Sequence, residues 1–286
     1  MISKGLNASQ LKWVAMLAML MDHLYVIFGT FLYQGTFLEG LIYTSYSAWL
    51  RWIGRLAFPI FAFLLAEGAR NTRSPTRYAG RLAVFALLSQ IPYTLAFSNL
   101  GRITAPETVP LLVWNTAALN VLFTLLLGLT AILCWQRGNT TKKWWYAGTI
   151  LVIAFGEWLN CDYGALGVML IFLLWKFPSP VGRFFSVVSF SFLNYLVSWN
   201  SLSIPTTFSL ARIHIWFERA FPCFVHPSVS YFMPFFMSCF SLVFLHFYNQ
   251  KRGSLNRWFA YVYYPGHLLV LSALRETAIY THFFNT

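Results

Sequence analysis

The 286-residue sequence predicts an all-α, polytopic transmembrane helical bundle of about nine spans in a single domain. Three observations lead to this class: 58% of the residues are apolar, only 10% are charged, and long apolar runs recur along the chain. A soluble domain carries about 25% charged residues, so this chain lacks the charge needed to cover a water-facing surface. The composition therefore excludes a soluble globular protein, a disordered chain and a nucleic-acid-binding protein.

Nine apolar stretches are long enough, or nearly so, to cross about 30 Å of hydrocarbon. In chain order they are Leu11–Tyr33, Ala48–Ala69, Gly80–Phe97, Pro110–Trp135, Trp144–Leu159, Tyr163–Phe177, Gly182–Trp199, Val229–Tyr248 and Trp258–Tyr280. The fifth and sixth are short and meet at Asn160–Asp162, which predicts a tight helical hairpin. A spanning β-strand would need only about ten alternating residues, so the run lengths favour helices.

Lysine and arginine occupy alternate connections between these stretches. Basic residues cluster at 4–12, 70–81, 137–143, 176–183 and 251–257, whereas residues 33–47 contain none. Because cytoplasmic loops carry an excess of basic residues, the pattern predicts a cytoplasmic N-terminus and, with nine spans, an extracytoplasmic C-terminus. It also accounts for the net charge of +12 without a nucleic-acid partner.

The segment Ser198–Ser228 does not fit this alternation. Its apolar run is interrupted by four ionisable residues between positions 212 and 219, at roughly helical spacing. The spacing predicts an amphipathic helix on the outer membrane interface. The alternative is a tenth span, which would place Lys251–Arg257 outside, against the charge rule. Cys161 and Cys223 both fall outside in the nine-span topology, where a disulfide could form.

The first span carries an aspartate and a histidine at membrane depth, where an ionisable group is costly and therefore a functional candidate. Lys12 and His23 are eleven residues apart, which corresponds to about 16 Å of rise and falls about 20° short of three full turns. They therefore share one face, with Lys12 at the cytoplasmic mouth and His23 near the midplane. Asp22 points about 100° away from His23, so it needs a partner from another span.

Arg55, in the second span, is the predicted partner of Asp22 because it reaches a similar depth. Pro59 lacks an N–H and clashes with the Arg55 carbonyl, so it predicts a kink there. The alternative is a structural ion pair beside a packing kink. In the last span Pro265 precedes His267, about 13 Å from the cytoplasmic boundary. A lone buried histidine is most often a hydrogen-bonded core residue, but here two histidines are predicted at comparable depth.

Several other polar positions have a structural interpretation beside a functional one. Asp162 opens the sixth span and is predicted as its N-cap, with substrate contact as the alternative. Asn120 is predicted to hydrogen-bond neighbouring helices, and Glu67 to pair with Arg70 near the inner interface. The basic run 70–81 serves as an orientation signal, with phosphate binding as a secondary interpretation. The four cysteines show no metal-ligand spacing, so no metal site is predicted.

Two functional classes fit these residues. One is a transporter in which Asp22, His23, Arg55 and His267 relay protons or bind a substrate at the midplane. The other is an enzyme that moves a group between compartments, with a histidine as base. The residues alone favour the transporter slightly, although the two halves of the chain show no matching interrupted helices.

Five segments of the sequence, in order, resemble the TraX family. They are 12–23 (KWVAMLAMLMDH), 53–61 (IGRLAFPIF), 120–123 (NVLF), 162–167 (DYGALG) and 263–269 (YYPGHLL). That family includes a conjugal-transfer protein that acetylates the N-terminal amine of F-type pilin. It is similar to a wider group of multi-pass acyltransferases that use cytoplasmic acetyl-CoA on acceptors across the membrane, here the bacterial inner membrane.

The resemblance implies an acyltransferase with acetyl-CoA as co-substrate and an extracytoplasmic acceptor. Lys12, with Arg73, Arg77 and Arg81, would hold the phosphates of acetyl-CoA at the inner face. His23 would act as base or carry the acetyl group itself. Lysine offers a point charge and no bidentate fork, so phosphate recognition through Lys12 would be looser than through an arginine.

The remaining candidate residues surround the reaction that the resemblance implies. The catalytic set is Asp22, His23, Arg55, Tyr263 and His267, in which Arg55, Tyr263 or His267 would stabilise the oxyanion. Asn120, Asp162 and Tyr163 would bind substrate or serve the structure. The acceptor implied by the family is a pilin amine, and a sugar or another exported polymer is equally compatible with the residues.

Overall fold

The structure, a computed structural model, describes residues 5–29, 48–97, 118–199 and 229–284. Within these ranges the regular secondary structure is helical, with two isolated β-bridges, so the all-α prediction is confirmed. The helices are α1 (Ala8–Gly29), α2 (Ala48–Gly54), α3 (Ala57–Asn71), α4 (Pro75–Phe97), α5 (Val121–Thr140), α6 (Trp145–Trp158), α7 (Gly164–Lys176), α8 (Pro180–Trp199), α9 (Val229–His246) and α10 (Arg257–Phe284).

The length and apolarity of the helices fit a membrane protein. Four stretches of the described chain are long and apolar enough to cross a bilayer: Ala8–Phe28, Trp49–Asn71, Pro75–Phe97 and Val121–Thr140. Large apolar side chains are exposed on the helices, as expected for a surface that contacts lipid, among them Leu87, Leu88, Ile91, Ile150, Leu151, Val262 and Val270. The count of nine spans and the cytoplasmic N-terminus remain predictions.

Most helices lie close to the predicted spans, but the fourth predicted span begins earlier than its helix, α5. The span was predicted to begin at Pro110, whereas α5 begins at Val121, and residues 110–117 lie outside the described ranges. Asn120 caps α5, because its side chain accepts a hydrogen bond from the Leu122 N–H at 3.0 Å. The apolar residues before Asn120 extended the hydrophobic pattern past this cap, which is why the sequence placed the start too early.

The second predicted span is broken in two. Helix α2 ends at Gly54 and α3 begins at Ala57. Between them, the N–H groups of Arg55 and Leu56 donate to carbonyls three residues earlier, at 3.0 Å in both cases. Pro59 explains the break because it has no N–H to offer the Arg55 carbonyl. The predicted kink is therefore confirmed, and the break faces the candidate site.

The predicted hairpin at Asn160–Asp162 is also confirmed. Residues 159–163 connect α6 to α7, and Asn160 and Tyr163 adopt left-handed backbone conformations with φ of 51° and 63°. The Leu119 N–H donates to the Asn160 carbonyl at 2.9 Å, and the Asp162 N–H donates to the Leu119 carbonyl at 2.8 Å. These bonds hold the hairpin against the start of α5.

The start of α1 is hydrogen-bonded to the connection that precedes α10. Asn7 and Gln10 form a capping box, in which each backbone N–H donates to the other side chain, at 2.9 and 3.0 Å. The Ala8 N–H donates to the Lys251 carbonyl at 2.8 Å, and the Ser9 hydroxyl donates to the carbonyl of residue 252 at 3.1 Å. These bonds bring the first and last described helices side by side.

The interior of the bundle is apolar. Helix α1 packs against α2, α3 and α10, while α4 packs against α5 and α10, and α7 packs against both α3 and α5. Fully buried side chains fill these contacts, including Leu11, Ile60, Phe63, Leu129, Ile132, Leu170 and Leu268. On α3, Arg70 pairs with Glu67 as predicted. It also donates to the Leu174 and Trp175 carbonyls at the end of α7.

Candidate active site

A cavity of about 210 Å³ lies between α1, the α2–α3 break, α4, the start of α5, the α6–α7 connection and α10. Its apolar wall is interrupted by ionisable and tyrosine side chains: Asp22, His23, Arg51, Arg55, Tyr93, Asp162, Tyr163 and Tyr264. Two carboxylates and two guanidinium groups thus face one space inside an apolar bundle. Such a cavity can bind a polar group between charged side chains.

His23 and His267 meet at this cavity. His23 Nδ1 lies 2.8 Å from His267 Nε2, and the ring planes are 5° apart with centroids 5.0 Å apart. A separation of 2.8 Å is shorter than the roughly 3.5 Å between atoms of stacked rings, so the imidazoles join edge to edge through a hydrogen bond. His23 lines the cavity wall, and His267 lies behind it.

Asp22 pairs with Arg51, and the predicted Asp22–Arg55 pair is wrong. Arg51 Nη1 donates to both carboxylate oxygens of Asp22, at 2.8 and 2.7 Å. Gly54 permits this approach, because a Cβ at that position would collide with the Asp22 side chain. Arg51 and Arg55 are four residues apart and would share one face of a continuous helix. Because α2 ends between them, it is Arg51 that bonds to Asp22.

Arg55 faces the same cavity from the helix break. Its Nε is buried and makes no hydrogen bond within the described part of the chain. The charge of Arg55 acts on Asp162, which lies in the connection between α6 and α7. Burial and the charge of Asp22 raise the pKa of the Asp162 carboxyl to about 6, against the opposing effect of Arg55 and Arg51.

Asp162 is not the N-cap of α7, so that prediction is wrong. The N-cap is Tyr163, whose φ of 63° is left-handed and leaves Asp162 in the connection. The carboxylate of Glu157 replaces it as a cap, accepting from the Ala165 N–H at 3.1 Å. The Asp162 side chain instead lines the cavity, next to Tyr163, whose ring stacks on Phe58 with centroids 4.0 Å apart.

Asn120 has a structural role, in line with the predicted contacts between helices. It is fully buried, and its Nδ2 donates to the Ala86 carbonyl and to Gln90 Oε1, both at 2.8 Å. These bonds tie the start of α5 to α4. They fix Val121, the next residue, on the cavity wall.

The arginines predicted to hold phosphates lie in the connection between α3 and α4 and in the first two turns of α4. Arg73 and Arg77 are exposed. Arg81 lies over the Tyr78 ring, with its guanidinium carbon 5.7 Å from the ring centroid. It also donates a hydrogen bond to the Tyr261 hydroxyl. None of the three lines the cavity that contains His23.

Lys12 has a different basic neighbour. Arg252, exposed in the connection that is hydrogen-bonded to the start of α1, is close enough to Lys12 for the two charges to interact. Sequence reasoning missed this residue because the two positions lie at opposite ends of the chain. Lys12 and Arg252 therefore place two positive charges close together at this end of α1.

Tyr263 supports the site from outside the cavity. Its hydroxyl donates to the Met16 carbonyl at 3.1 Å, which links α10 to α1, and its own carbonyl accepts from His267. The tyrosines on the cavity wall are Tyr93, Tyr163 and Tyr264. Sequence reasoning missed Tyr93 and Tyr264, for which the sequence holds no distinguishing signal.

Two predictions about the outer side lie beyond the described residues. Cys161 is buried, and Cys223 falls outside the described ranges, so their pairing stays a prediction. The same holds for the amphipathic helix or tenth span proposed for Ser198–Ser228, of which the structure describes only the first two residues, at the end of α8.

The apolar outer surface and the polar cavity between the helices define the class: a helical integral membrane protein with a polar site. Among known families, the sequence model described as TraX protein matches residues 7–275, and the chain belongs to the TraX family. A relative from Dichelobacter nodosus, named "Probable fimbrial assembly protein FimC, serogroup H1", is 27% identical over 277 residues, covering 94% of this chain and 96% of that protein. No solved structure matches. The predicted family is therefore confirmed.

Proposed function

We propose that this protein is a membrane-embedded acyltransferase that moves an acetyl group from cytoplasmic acetyl-CoA to an acceptor on the other side of the membrane. One observation carries the proposal: His23 lies on the wall of a charged cavity, with its Nδ1 hydrogen-bonded to His267. A histidine fixed in this way, within an apolar bundle, is suited to take a proton from an attacking group.

The donor would enter from the end of α1 that carries Lys12 and Arg252. Two neighbouring cations, neither of them paired with a carboxylate among the described residues, suit the phosphates of acetyl-CoA. From Lys12 to His23 the helix rises about 16 Å, along which the extended pantetheine arm would run. The thioester would then lie in the cavity beside the imidazole.

The reaction needs one base and one group that stabilises an oxyanion. The neutral acceptor amine attacks the thioester carbonyl carbon while His23 takes the amine proton. The C–S bond then breaks, and the CoA thiolate takes up that proton. Arg55 is the proposed group that stabilises the oxyanion. Its side chain faces the cavity, and its buried Nε has no hydrogen bond within the described chain. An acetyl-histidine intermediate on His23 is the alternative route.

The proposed acceptor is the N-terminal amine of a pilin subunit. The TraX resemblance implies this acceptor, and the name of the Dichelobacter nodosus relative refers to fimbrial assembly. Carboxylates at Asp22 and Asp162 would attract an ammonium group to the cavity. An N-terminal amine has a pKa of about 7.7–8.0, so a useful fraction is neutral at physiological pH. A sugar or another exported polymer is the alternative acceptor.

Purified protein in lipid nanodiscs, with acetyl-CoA and a peptide bearing a free N-terminal amine, tests the proposal. We expect CoA release together with acetylation of the peptide, and a loss of about 100-fold or more in His23→Ala. A peptide with a blocked N-terminus should stay unmodified. His246→Ala is the matched control, because His246 is exposed at the end of α9.

Two results would overturn the proposal. Equal activity in wild type and His23→Ala would remove His23 from the reaction. Proton-coupled solute flux in liposomes without CoA release would favour the transporter.

A further inference from the structure

We propose that His267 is a positioning residue that fixes the tautomer of His23, so that Nε2 of His23 is the basic nitrogen. The catalytic consequence rests on the proposed function, but the tautomer itself does not. The inference follows from the chain of hydrogen bonds that runs from the backbone of α10 to the cavity wall.

The first bond determines the protonation of His267. Its Nδ1 lies 2.8 Å from the Tyr263 carbonyl oxygen. A carbonyl oxygen can only accept a hydrogen bond, so the proton is on Nδ1 of His267. In a neutral imidazole the other nitrogen is then an acceptor, and Nε2 of His267 presents a lone pair to His23.

The second bond determines which nitrogen of His23 carries the proton. Nδ1 of His23 lies 2.8 Å from Nε2 of His267, and two lone pairs cannot share a hydrogen bond. Nδ1 of His23 must therefore carry the proton and donate it. Neither ring is hydrogen-bonded to a carboxylate within the described residues, and a buried charge without such a partner is costly. Both imidazoles are therefore neutral, and His23 keeps its lone pair on Nε2.

Aromatic contacts keep both rings in this orientation. Tyr263 lies against His267 with centroids 4.9 Å apart and planes 14° apart, and Tyr264 contacts the same ring at 5.8 Å. The rings of Phe97 and His23 meet at 77°, with centroids 5.2 Å apart. These contacts hold the planes of the two rings, and the hydrogen bonds at Nδ1 and Nε2 then determine which nitrogen carries the proton.

The consequence is a defined path for the proton of the acceptor amine. Nε2 of His23 receives it, and the positive charge of the resulting imidazolium is stabilised by the Nδ1–H bond to His267. His267 keeps its own proton on Nδ1. It lies behind His23 and does not line the cavity, so it acts on the reaction only through His23, as the orienting member of a catalytic triad does.

Histidine offers a matched pair of substitutions for the test. Glutamine places its amide near the position of Nε2, where its oxygen can accept from His23, whereas asparagine reaches only the position of Nδ1. We expect His267→Asn to lower the acetylation rate by about 10- to 100-fold, as loss of an orienting partner does elsewhere. His267→Gln should recover most of this loss, and His246→Gln should leave the rate unchanged.

The tautomer is read by nitrogen NMR of protein labelled with ¹⁵N-histidine, with the His23 signals identified by their loss in His23→Ala. We expect protonated Nδ1 and unprotonated Nε2 in wild type and His267→Gln, and a shift towards protonated Nε2 in His267→Asn. Protonated Nε2 in the wild type, or an unchanged tautomer in His267→Asn, would overturn the proposal. Absence of acetyl transfer alongside the expected tautomers would instead contradict only the proposed function.

Discussion

Asp22 and Arg51 form the ion pair next to His23 on the cavity wall, with one guanidinium nitrogen reaching both carboxylate oxygens. The Asp22 side chain is 18% exposed and that of Arg51 35%. Arg51→Ala should therefore lower the free energy of unfolding by about 1–2 kcal/mol, because it leaves a half-buried carboxylate unpaired while water screens part of the loss. Thermal unfolding measures the change.

Arg73→Ala is the control for this substitution, because Arg73 is exposed and remote from the cavity. It should leave the unfolding temperature unchanged. Equal shifts in the two variants would show that the Asp22–Arg51 pair contributes nothing beyond a surface charge.

Asp162 gives the site a pH dependence. Burial raises the pKa of its carboxyl to about 6, so the group is neutral below that pH and charged above it. Its attraction for an ammonium group is therefore present above pH 6 and lost as the pH falls through this value. The profile of kcat/KM for the amine acceptor should show an inflection near pH 6 that Asp162→Asn lacks. An identical profile in both proteins would exclude Asp162 from acceptor binding.

At the residue scale, the sequence predicts several of the side chains that meet at the cavity, but it does not predict their partners. His23 and His267 stand out because ionisable groups at membrane depth are rare and costly. The choice between Arg51 and Arg55 depends on where a helix ends, and the side-chain direction of Asp162 depends on a left-handed turn at Tyr163. Neither feature follows from spacing along an ideal helix.

The connection before α10 carries Arg252, the second positive charge close to Lys12. Its backbone is hydrogen-bonded to the first turn of α1 through Ala8 and Ser9. Arg252→Gln should raise the KM for acetyl-CoA several-fold with kcat unchanged, because a phosphate contact far from the reacting atoms binds ground state and transition state alike. Steady-state kinetics at fixed acceptor concentration measure this.

Lys142→Gln is the comparison, since Lys142 is exposed in the connection between α5 and α6 and not in the one before α10. A KM for acetyl-CoA that rises equally in both variants would indicate a general effect of surface charge. A fall in kcat in Arg252→Gln would place this residue in the reaction itself.

At the scale of elements, run length and turn chemistry predict most of the fold. The hairpin at Asn160–Asp162 and the break before Pro59 follow from short polar interruptions and a missing N–H. The start of α5 does not follow, because the cap at Asn120 is identified only by its hydrogen bonds to Leu122 and to α4. Hydrophobic pattern alone continues across such a cap.

The cavity is a property of the whole molecule. Its charged and histidine side chains come from positions 22, 23, 51, 55 and 162, and the partner of His23 comes from position 267. Matched depth in the membrane indicates that two spans could meet, but not which spans are neighbours. Here the capping box of α1 and the bonds to residues 251 and 252 settle that question for α1 and α10.

The predicted topology is tested at the same scale. A nine-span chain with a cytoplasmic N-terminus places Thr286 outside the membrane. A reporter that is active only when exported, fused after Thr286, should therefore be active, and one that needs the cytoplasm should be silent. The reverse result would require an even number of spans, and a tenth span within Ser198–Ser228 would then be the first candidate.

Transfer across the bilayer is the central claim, and sealed proteoliposomes test it most directly. Acetyl-CoA would be enclosed inside liposomes in which the Lys12 end of α1 faces the interior. The acceptor peptide would be added only to the outer solution. We predict that intact-mass measurement finds the peptide acetylated by wild type and His246→Ala but not by His23→Ala. An unmodified peptide, or one that His23→Ala acetylates equally well, would contradict the account.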